Sequence, residues 1–151
     1  MSRLQGDMPE FTVKPAAWVC SSSKPLAELI SASKKASSGS ETVLLVHNSK
    51  EAAKRLLPAF VNATLRIASG ASRSKSTQIE MLLLLCGTMN IGKALRDCGA
   101  KDGKSFLLFA TSQHLLERFS KAHAISAKRR LRLDLDMKIS GEVSLTEFQH
   151  G

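Results

Sequence analysis

The chain has no tyrosine and a single tryptophan, and aromatic residues make up only 5% of it. Stacking of bases on exposed rings is therefore not an evident way for this protein to hold a nucleic acid. It has three cysteines, Cys20, Cys86 and Cys98, an odd number without paired spacing. That number indicates a reducing compartment and inert thiols, not a disulfide framework. We therefore expect a cytoplasmic or nuclear protein.

Long hydrophobic runs are also missing from the sequence. The longest lies at residues 81–86, far short of the roughly 20 residues that a membrane-spanning helix needs. Residues 1–10 are polar and of mixed charge, unlike a secretory signal, and are expected to form a flexible lead. We expect residues 11–151 to form one domain without membrane association.

Charge of one sign is abundant, with 22 lysines and arginines against 13 acidic residues and a net charge of +9. Such an excess favours a polyanionic partner such as RNA, although a basic but merely solvated surface, with ion pairs to Asp134 and Asp136, is the alternative. Lysine and arginine side chains on loops and strands can contact the phosphates of RNA. The candidate RNA-binding residues are Arg66, Arg73, Lys75, Lys128, Arg129, Arg130 and Arg132.

Hydrophobic patterning predicts strands and helices that alternate along the chain. Strands are expected near 11–20, 42–46, 81–86, 105–110 and 131–136, with 81–86 as the central one. Helices are expected near 25–36, 49–65, 89–98 and 113–122. The second should be kinked or split at Pro58, and the third should end at Gly99 in a left-handed C-cap. The predicted fold is an α/β (α+β) domain in which a mixed sheet of about five strands packs with helices.

Residues 87–93 (GTMNIGK) have the spacing of a phosphate-binding loop and are expected to follow a buried strand. The next residue is Ala94, where that motif needs a hydroxyl for Mg²⁺. The strand expected at 105–110 also ends without the acidic residue of a magnesium site. A chance match is the better interpretation.

No catalytic constellation is evident in the sequence. The histidines fall in separate segments without acidic or cysteine residues at ligand spacing, and Glu80 is a single carboxylate ahead of an apolar run. We therefore predict a protein that is not an enzyme and has no metal, no cofactor and no small-molecule substrate.

Residues 85–103 (LCGTMNIGKALRDCGAKDG) resemble the signature of the small, non-catalytic kinase-binding subunit of the KEOPS (EKC) complex, the TPRKB-type family. In that family a strand ends in a small polar turn, an Asn-Ile or Gln-Ile pair opens a helix, and a glycine closes it. Asn90, Ile91 and Gly99 match these positions. The order of elements agrees over roughly 11–136, although the family's C-terminal helices are short or missing here.

The resemblance implies a subunit that binds the atypical small kinase of the KEOPS complex and helps to recruit tRNA for threonylcarbamoyl-adenosine formation. It implies no chemistry of the subunit's own. The candidate kinase-interface residues are Met89, Asn90, Ile91, Ala94 and Leu95. The alternatives are a free-standing basic RNA-binding domain and, less favoured, a phosphate-loop-like nucleotide-binding protein.

Overall fold

The computed structural model describes residues 14–71 and 76–133 of the protein. This part of the chain forms four strands and five helices, which confirms the predicted α+β single domain. The strands are β1 (Ala16–Ser22), β2 (Val43–His47), β3 (Phe106–Ala110) and β4 (Ile125–Leu131), and the helices are α1 (Leu26–Ala36), α2 (Lys50–Ala68), α3 (Thr77–Cys86), α4 (Ile91–Cys98) and α5 (Gln113–Ala122).

The described strands form one sheet in the order β2-β3-β1-β4, and every neighbouring pair is antiparallel. We predict a mixed sheet of about five strands, whereas the sheet of the described residues has four strands and is entirely antiparallel. β1-α1-β2 and β3-α5-β4 interleave so that β1 and β3 lie at the centre, as in the split βαβ arrangement. Helices α2, α3 and α4 are inserted between β2 and β3.

Helices bury both faces of β1, β2 and β3, whereas β4 is largely exposed. Trp18 and Leu108 lie on one face and belong to a core that includes residues of α1 and α5. Val19 and Phe109 point to the other face and pack in a second core with α2, α3 and α4. Because successive strand residues face opposite layers, a strand between two helical layers must be apolar throughout. This accounts for the uninterrupted burial of β3.

The run at 81–86 is a helix, not the central strand that we predict from its apolarity. α3 begins after Ser76, whose side chain accepts a hydrogen bond from the Ile79 amide at 3.3 Å. A short apolar run does not distinguish a strand from a helix that is buried on several sides. Its first five residues are methionine and leucine, which favour a helix, and β-branched residues are absent from 80–86. α3 packs between α2, α4 and the sheet, so nearly all of its circumference is buried.

Three other local predictions are corrected. α2 is one helix of 19 residues and is not split at Pro58, which lies inside it. Gly99 does not have the left-handed conformation expected of it; instead, a Cβ there would lie 2.5 Å from the Leu95 carbonyl oxygen, so only glycine fits. The last strand begins at Ile125 and ends at Leu131, so 128–130 lie within it. We predict a strand at 131–136, and its residues 134–136 lie outside the described part of the chain.

The second core gives a direct test of the two-layer arrangement. Phe109 of β3 is fully buried and contacts Phe60 of α2, with ring centroids 5.4 Å apart. Phe109→Ala should lower the free energy of unfolding by about 3–5 kcal/mol, because it leaves a cavity between the sheet and α2. Urea denaturation measures this decrease. The exposed control Met89→Ala should change the value by less than about 0.5 kcal/mol, and equal effects of the two changes would contradict the arrangement.

Candidate partner-binding and nucleic-acid surfaces

Residues 87–90 connect α3 to α4, and residues 91–93 form the first turn of α4. Gly87 ends α3 in the left-handed conformation (φ 70°), where its amide donates a hydrogen bond to the Leu83 carbonyl at 2.8 Å. The Asn90 side chain then caps α4 by accepting a hydrogen bond from the Lys93 amide at 2.9 Å. A phosphate-binding loop follows a strand, so the expected structural context of the GTMNIGK motif is wrong.

Three large hydrophobic side chains lie exposed on and before α4. Met89, Ile91 and Leu95 are 56%, 45% and 41% exposed, and we refer to them as the apolar ridge. Ile91 and Leu95 are four residues apart and therefore lie on one face of the helix. Clustered exposed hydrophobic side chains of this kind are typical of a protein-binding surface.

The other two candidate interface residues have structural roles. Ala94 is fully buried and packs α4 against the second core, so its assignment to an accessible kinase interface is wrong. Its small side chain is what lets this helix lie close to its neighbours. Asn90 is exposed, but its side-chain oxygen is occupied by the cap of α4.

A surface cavity lies at each end of the apolar ridge. Leu95 lines a cavity of about 280 Å³ between α1, β2 and α3. Met89 lines a second cavity of about 210 Å³, together with Leu83, Leu84 and Arg66. Recesses beside exposed apolar side chains can accept the anchoring side chains of a partner.

Charged side chains surround the ridge on the same helix. Lys93 and Asp97 form an exposed ion pair at 3.2 Å, and Arg96 is also exposed. An exposed pair of this kind adds little stability. Its position produces the arrangement usual for protein interfaces, with an apolar centre and a polar rim.

Arg66 is held by an ion pair and is not a free cation. Its Nε lies 3.0 Å from Oε1 of Glu80, whose side chain is only 3% exposed. An ionised carboxylate at such a depth needs a partner, and Arg66 supplies it. The pair joins the end of α2 to the first turn of α3. The interpretation of Arg66 as an RNA-binding residue is therefore replaced by a mainly structural one.

The basic run lies on β4, which is an exposed edge strand of the sheet that the described residues form. Lys128, Arg129 and Arg130 are all exposed, as is Arg132 beyond the strand. Val19 pairs with Arg129 and Trp18 with Arg130, so these two arginines face opposite layers of the sheet. The basic run is therefore a charged edge and not a flat patch. Charged edge strands also keep sheets from pairing with other molecules, which is the structural alternative.

Lys104 joins this edge from a distant part of the sequence. Lys128 Nζ donates a hydrogen bond to the Lys104 carbonyl at 2.7 Å, and the amide of Ser22 donates one to the Gly103 carbonyl at 2.8 Å. The backbone of Lys24 also approaches Gly103, but its Nζ forms an ion pair with Glu28 at 3.6 Å. Lys104 is not among the predicted residues because nothing in its linear spacing relates it to Lys128.

Two predicted RNA-binding residues, Arg73 and Lys75, lie in 72–75, outside the described part of the chain. The same holds for Asp134 and Asp136, the expected ion-pair partners of the basic strand.

Within residues 14–71 and 76–133, no group of three or more His, Cys, Asp or Glu side chains could hold a metal ion. In the same ranges no helix has the length and apolarity needed to cross a membrane. Burial raises the pKa of the Cys20 thiol to about 12, so this cysteine stays protonated and unreactive.

Comparison with known proteins adds no family assignment. The sequence matches no family model, and no curated protein matches it significantly.

Arg66→Ala tests the structural role of the buried ion pair. The change leaves the Glu80 carboxylate without its partner, so it should lower the free energy of unfolding by about 1–3 kcal/mol. Arg129→Ala removes the same charge from an exposed strand and should change the value by less than about 0.5 kcal/mol. Thermal or urea unfolding compares the two variants, and a harmless Arg66→Ala would show that the pair does not support the fold.

Proposed function

We propose that this protein is the non-catalytic, kinase-binding subunit of a KEOPS-type complex that makes threonylcarbamoyl-adenosine in tRNA. The observation that carries the proposal is the apolar ridge. It lies within 85–103, the segment whose sequence resembles that family, and its three side chains are exposed although they are large and hydrophobic. A partner that covers them would remove this apolar surface from water.

The proposed partner of the ridge is the atypical small kinase of the complex. Met89, Ile91 and Leu95 would form the centre of the contact, while Lys93, Arg96 and Asp97 would lie at its rim. The hollow beside Leu95 and the one beside Met89 would each receive a side chain of the kinase. In this role α4 binds and positions, and performs no reaction of its own.

The proposed second partner is tRNA, bound along the basic edge of β4. Lys128, Arg129, Arg130 and Arg132 are exposed there, and Lys104 adjoins Lys128. Long basic side chains from both faces of an edge strand can reach phosphates on either side of it. The low aromatic content is consistent with contacts made mainly to the backbone of the RNA.

Ile91→Glu combined with Leu95→Glu tests the kinase interface. Two carboxylates in the centre of an apolar contact would be desolvated without partners, so the affinity for the kinase should fall at least ~30-fold, or about 2 kcal/mol. Isothermal titration of purified kinase into each variant measures the change. Both residues are exposed, so the fold should be retained.

His114→Glu is the matched control, because His114 is exposed on α5, in the opposite helical layer. It should bind the kinase as the unmodified chain does. If the ridge variant binds as tightly as this control, the ridge is not the interface. If the unmodified chain binds no such kinase, the proposed function is wrong.

Replacement of the β4 arginines tests the RNA surface. Changing Arg129, Arg130 and Arg132 to alanine should weaken tRNA binding and reduce the salt dependence of log K by about 0.7 for each phosphate that is no longer neutralised. A control with lysines 50, 54 and 121 replaced by alanine removes the same net charge elsewhere. Fluorescence anisotropy across a salt series compares them, and equal slopes would exclude a localised site on β4.

The second candidate function, a free-standing RNA-binding domain, is favoured by the same basic edge. It differs from the kinase-binding subunit because it assigns no function to the apolar ridge. Binding to tRNA that depends on β4, together with no affinity for the kinase, would favour this candidate.

A further inference from the structure

The cavity that Leu95 lines is bounded by residues of α1, β2, α3 and α4, and we refer to it as the Leu95 cavity. Its volume is about 280 Å³. A cavity of about 150 Å³ between apolar side chains is already large enough to hold benzene, so the Leu95 cavity has room for a bicyclic molecule. Its apolar lining residues are Ile30, Leu44, Leu45, Ile79, Leu82 and Leu95.

Two buried polar side chains also line this cavity. Ser33 of α1 is 2% exposed and Gln78 of α3 is 7% exposed. The amide nitrogen of Gln78 donates hydrogen bonds to the Ser33 hydroxyl at 3.0 Å and to the Val43 carbonyl at 2.6 Å. The Ser33 hydroxyl donates in turn to the Ile30 carbonyl at 2.7 Å. Because both carbonyls can only accept, these bonds fix which way the Gln78 amide is turned.

The same bonds leave the oxygen of this amide unused. Within residues 14–71 and 76–133, both hydrogen bonds of the Gln78 side chain come from its nitrogen, and Oε1 accepts none. The enclosed polar side-chain atoms without a partner in these ranges are His47 Nδ1 and Ser120 Oγ, so Gln78 Oε1 is accessible. A donor group on a ligand would therefore find an acceptor whose orientation is already fixed.

We propose that the Leu95 cavity is a binding site for a small apolar molecule of the indole class, which carries one N–H donor. The apolar rings would lie against the leucine and isoleucine side chains, and the N–H would donate a hydrogen bond to Gln78 Oε1. Sites for small molecules commonly combine an apolar lining with a few fixed polar groups that set the orientation of the ligand. Ser33 is a positioning residue here, because it holds the Gln78 amide.

The inference does not rest on the proposed function, because the ligand would bind the isolated chain. The two are nevertheless connected through Leu95, which belongs both to this cavity and to the apolar ridge. A molecule bound beside Leu95 would therefore compete with a kinase that docks on α4.

Titration of indole into the full chain, followed through the methyl signals in NMR spectra, tests the site. The signals of Ile30, Ile79 and Leu82 should shift saturably, with a dissociation constant on the order of 0.1 mM for a ligand of this size. Leu116 lies in the core on the other face of the sheet, and its signal should not shift. An absence of saturable shifts at millimolar indole, or shifts only outside the cavity, would overturn the inference.

Leu95→Trp fills the cavity with a side chain of the protein itself, and Ile91→Trp is the matched control. Both residues are exposed on one face of α4, but Ile91 does not line the cavity. Indole should bind to Leu95→Trp at least ~10-fold more weakly than to Ile91→Trp, because the new ring occupies the place of the ligand. Equal affinities for the two variants would place the binding site elsewhere and contradict the proposal.

Gln78→Met tests the donor that we assign to the ligand. Benzothiophene has the shape of indole but no N–H. The ratio of indole affinity to benzothiophene affinity should be about 3–10-fold higher in the unmodified chain than in Gln78→Met, because only the unmodified chain offers the acceptor. Comparing the two ligands within each protein cancels effects of the substitution that both ligands share.

A measurement on the unmodified chain checks the same hydrogen bond without relying on the fold of that variant. The N–H proton of bound indole should show nuclear Overhauser effects to the Gln78 side chain. An equal affinity ratio in the two proteins, or an N–H proton that lies far from Gln78, would overturn the assigned class of ligand.

Discussion

The structure depends on the burial of the central strands on both sides. β3 and the inner part of β1 have apolar side chains on both faces, so neither can be stable against water on either face. Each fully buried Phe, Leu or Val contributes roughly 1.5–3 kcal/mol when it leaves water. One helical layer, α1 with α5, is supplied by the crossovers themselves. The other layer must come from the chain between β2 and β3, which explains the insertion of α2, α3 and α4.

This constraint also explains where the accessible features lie. α2 and α3 are largely occupied in covering the sheet, and the Arg66–Glu80 pair fixes one to the other. α4 packs on them through Ala94 and is left with its other face in solvent. The apolar ridge is therefore the outermost surface of the inserted layer. At the far edge of the sheet, β4 has no strand beyond it among the described residues and carries the basic side chains.

Much of the fold can be predicted from local patterns, and the failures have physical causes. The predicted limits of α5 are the observed ones, and the apolar strands predicted at 42–46 and 105–110 lie within one residue of β2 and β3. The run at 81–86 is misleading because complete burial removes the periodicity that separates helices from strands. Its leucine and methionine content is the signal that favours a helix. The burial of Ala94 and the pairing of Arg66 with Glu80 both depend on tertiary contacts that spacing does not encode.

We propose that the outer face of α4 is a docking surface for the kinase of a KEOPS-type complex. Hydrogen–deuterium exchange of the full chain, with and without that kinase, tests this proposal directly. If α4 binds the kinase, amide exchange over residues 87–98 should be slower in its presence, with little change in α5. Unchanged exchange over 87–98 with protection elsewhere, for example along β4, would show that the kinase does not dock on α4.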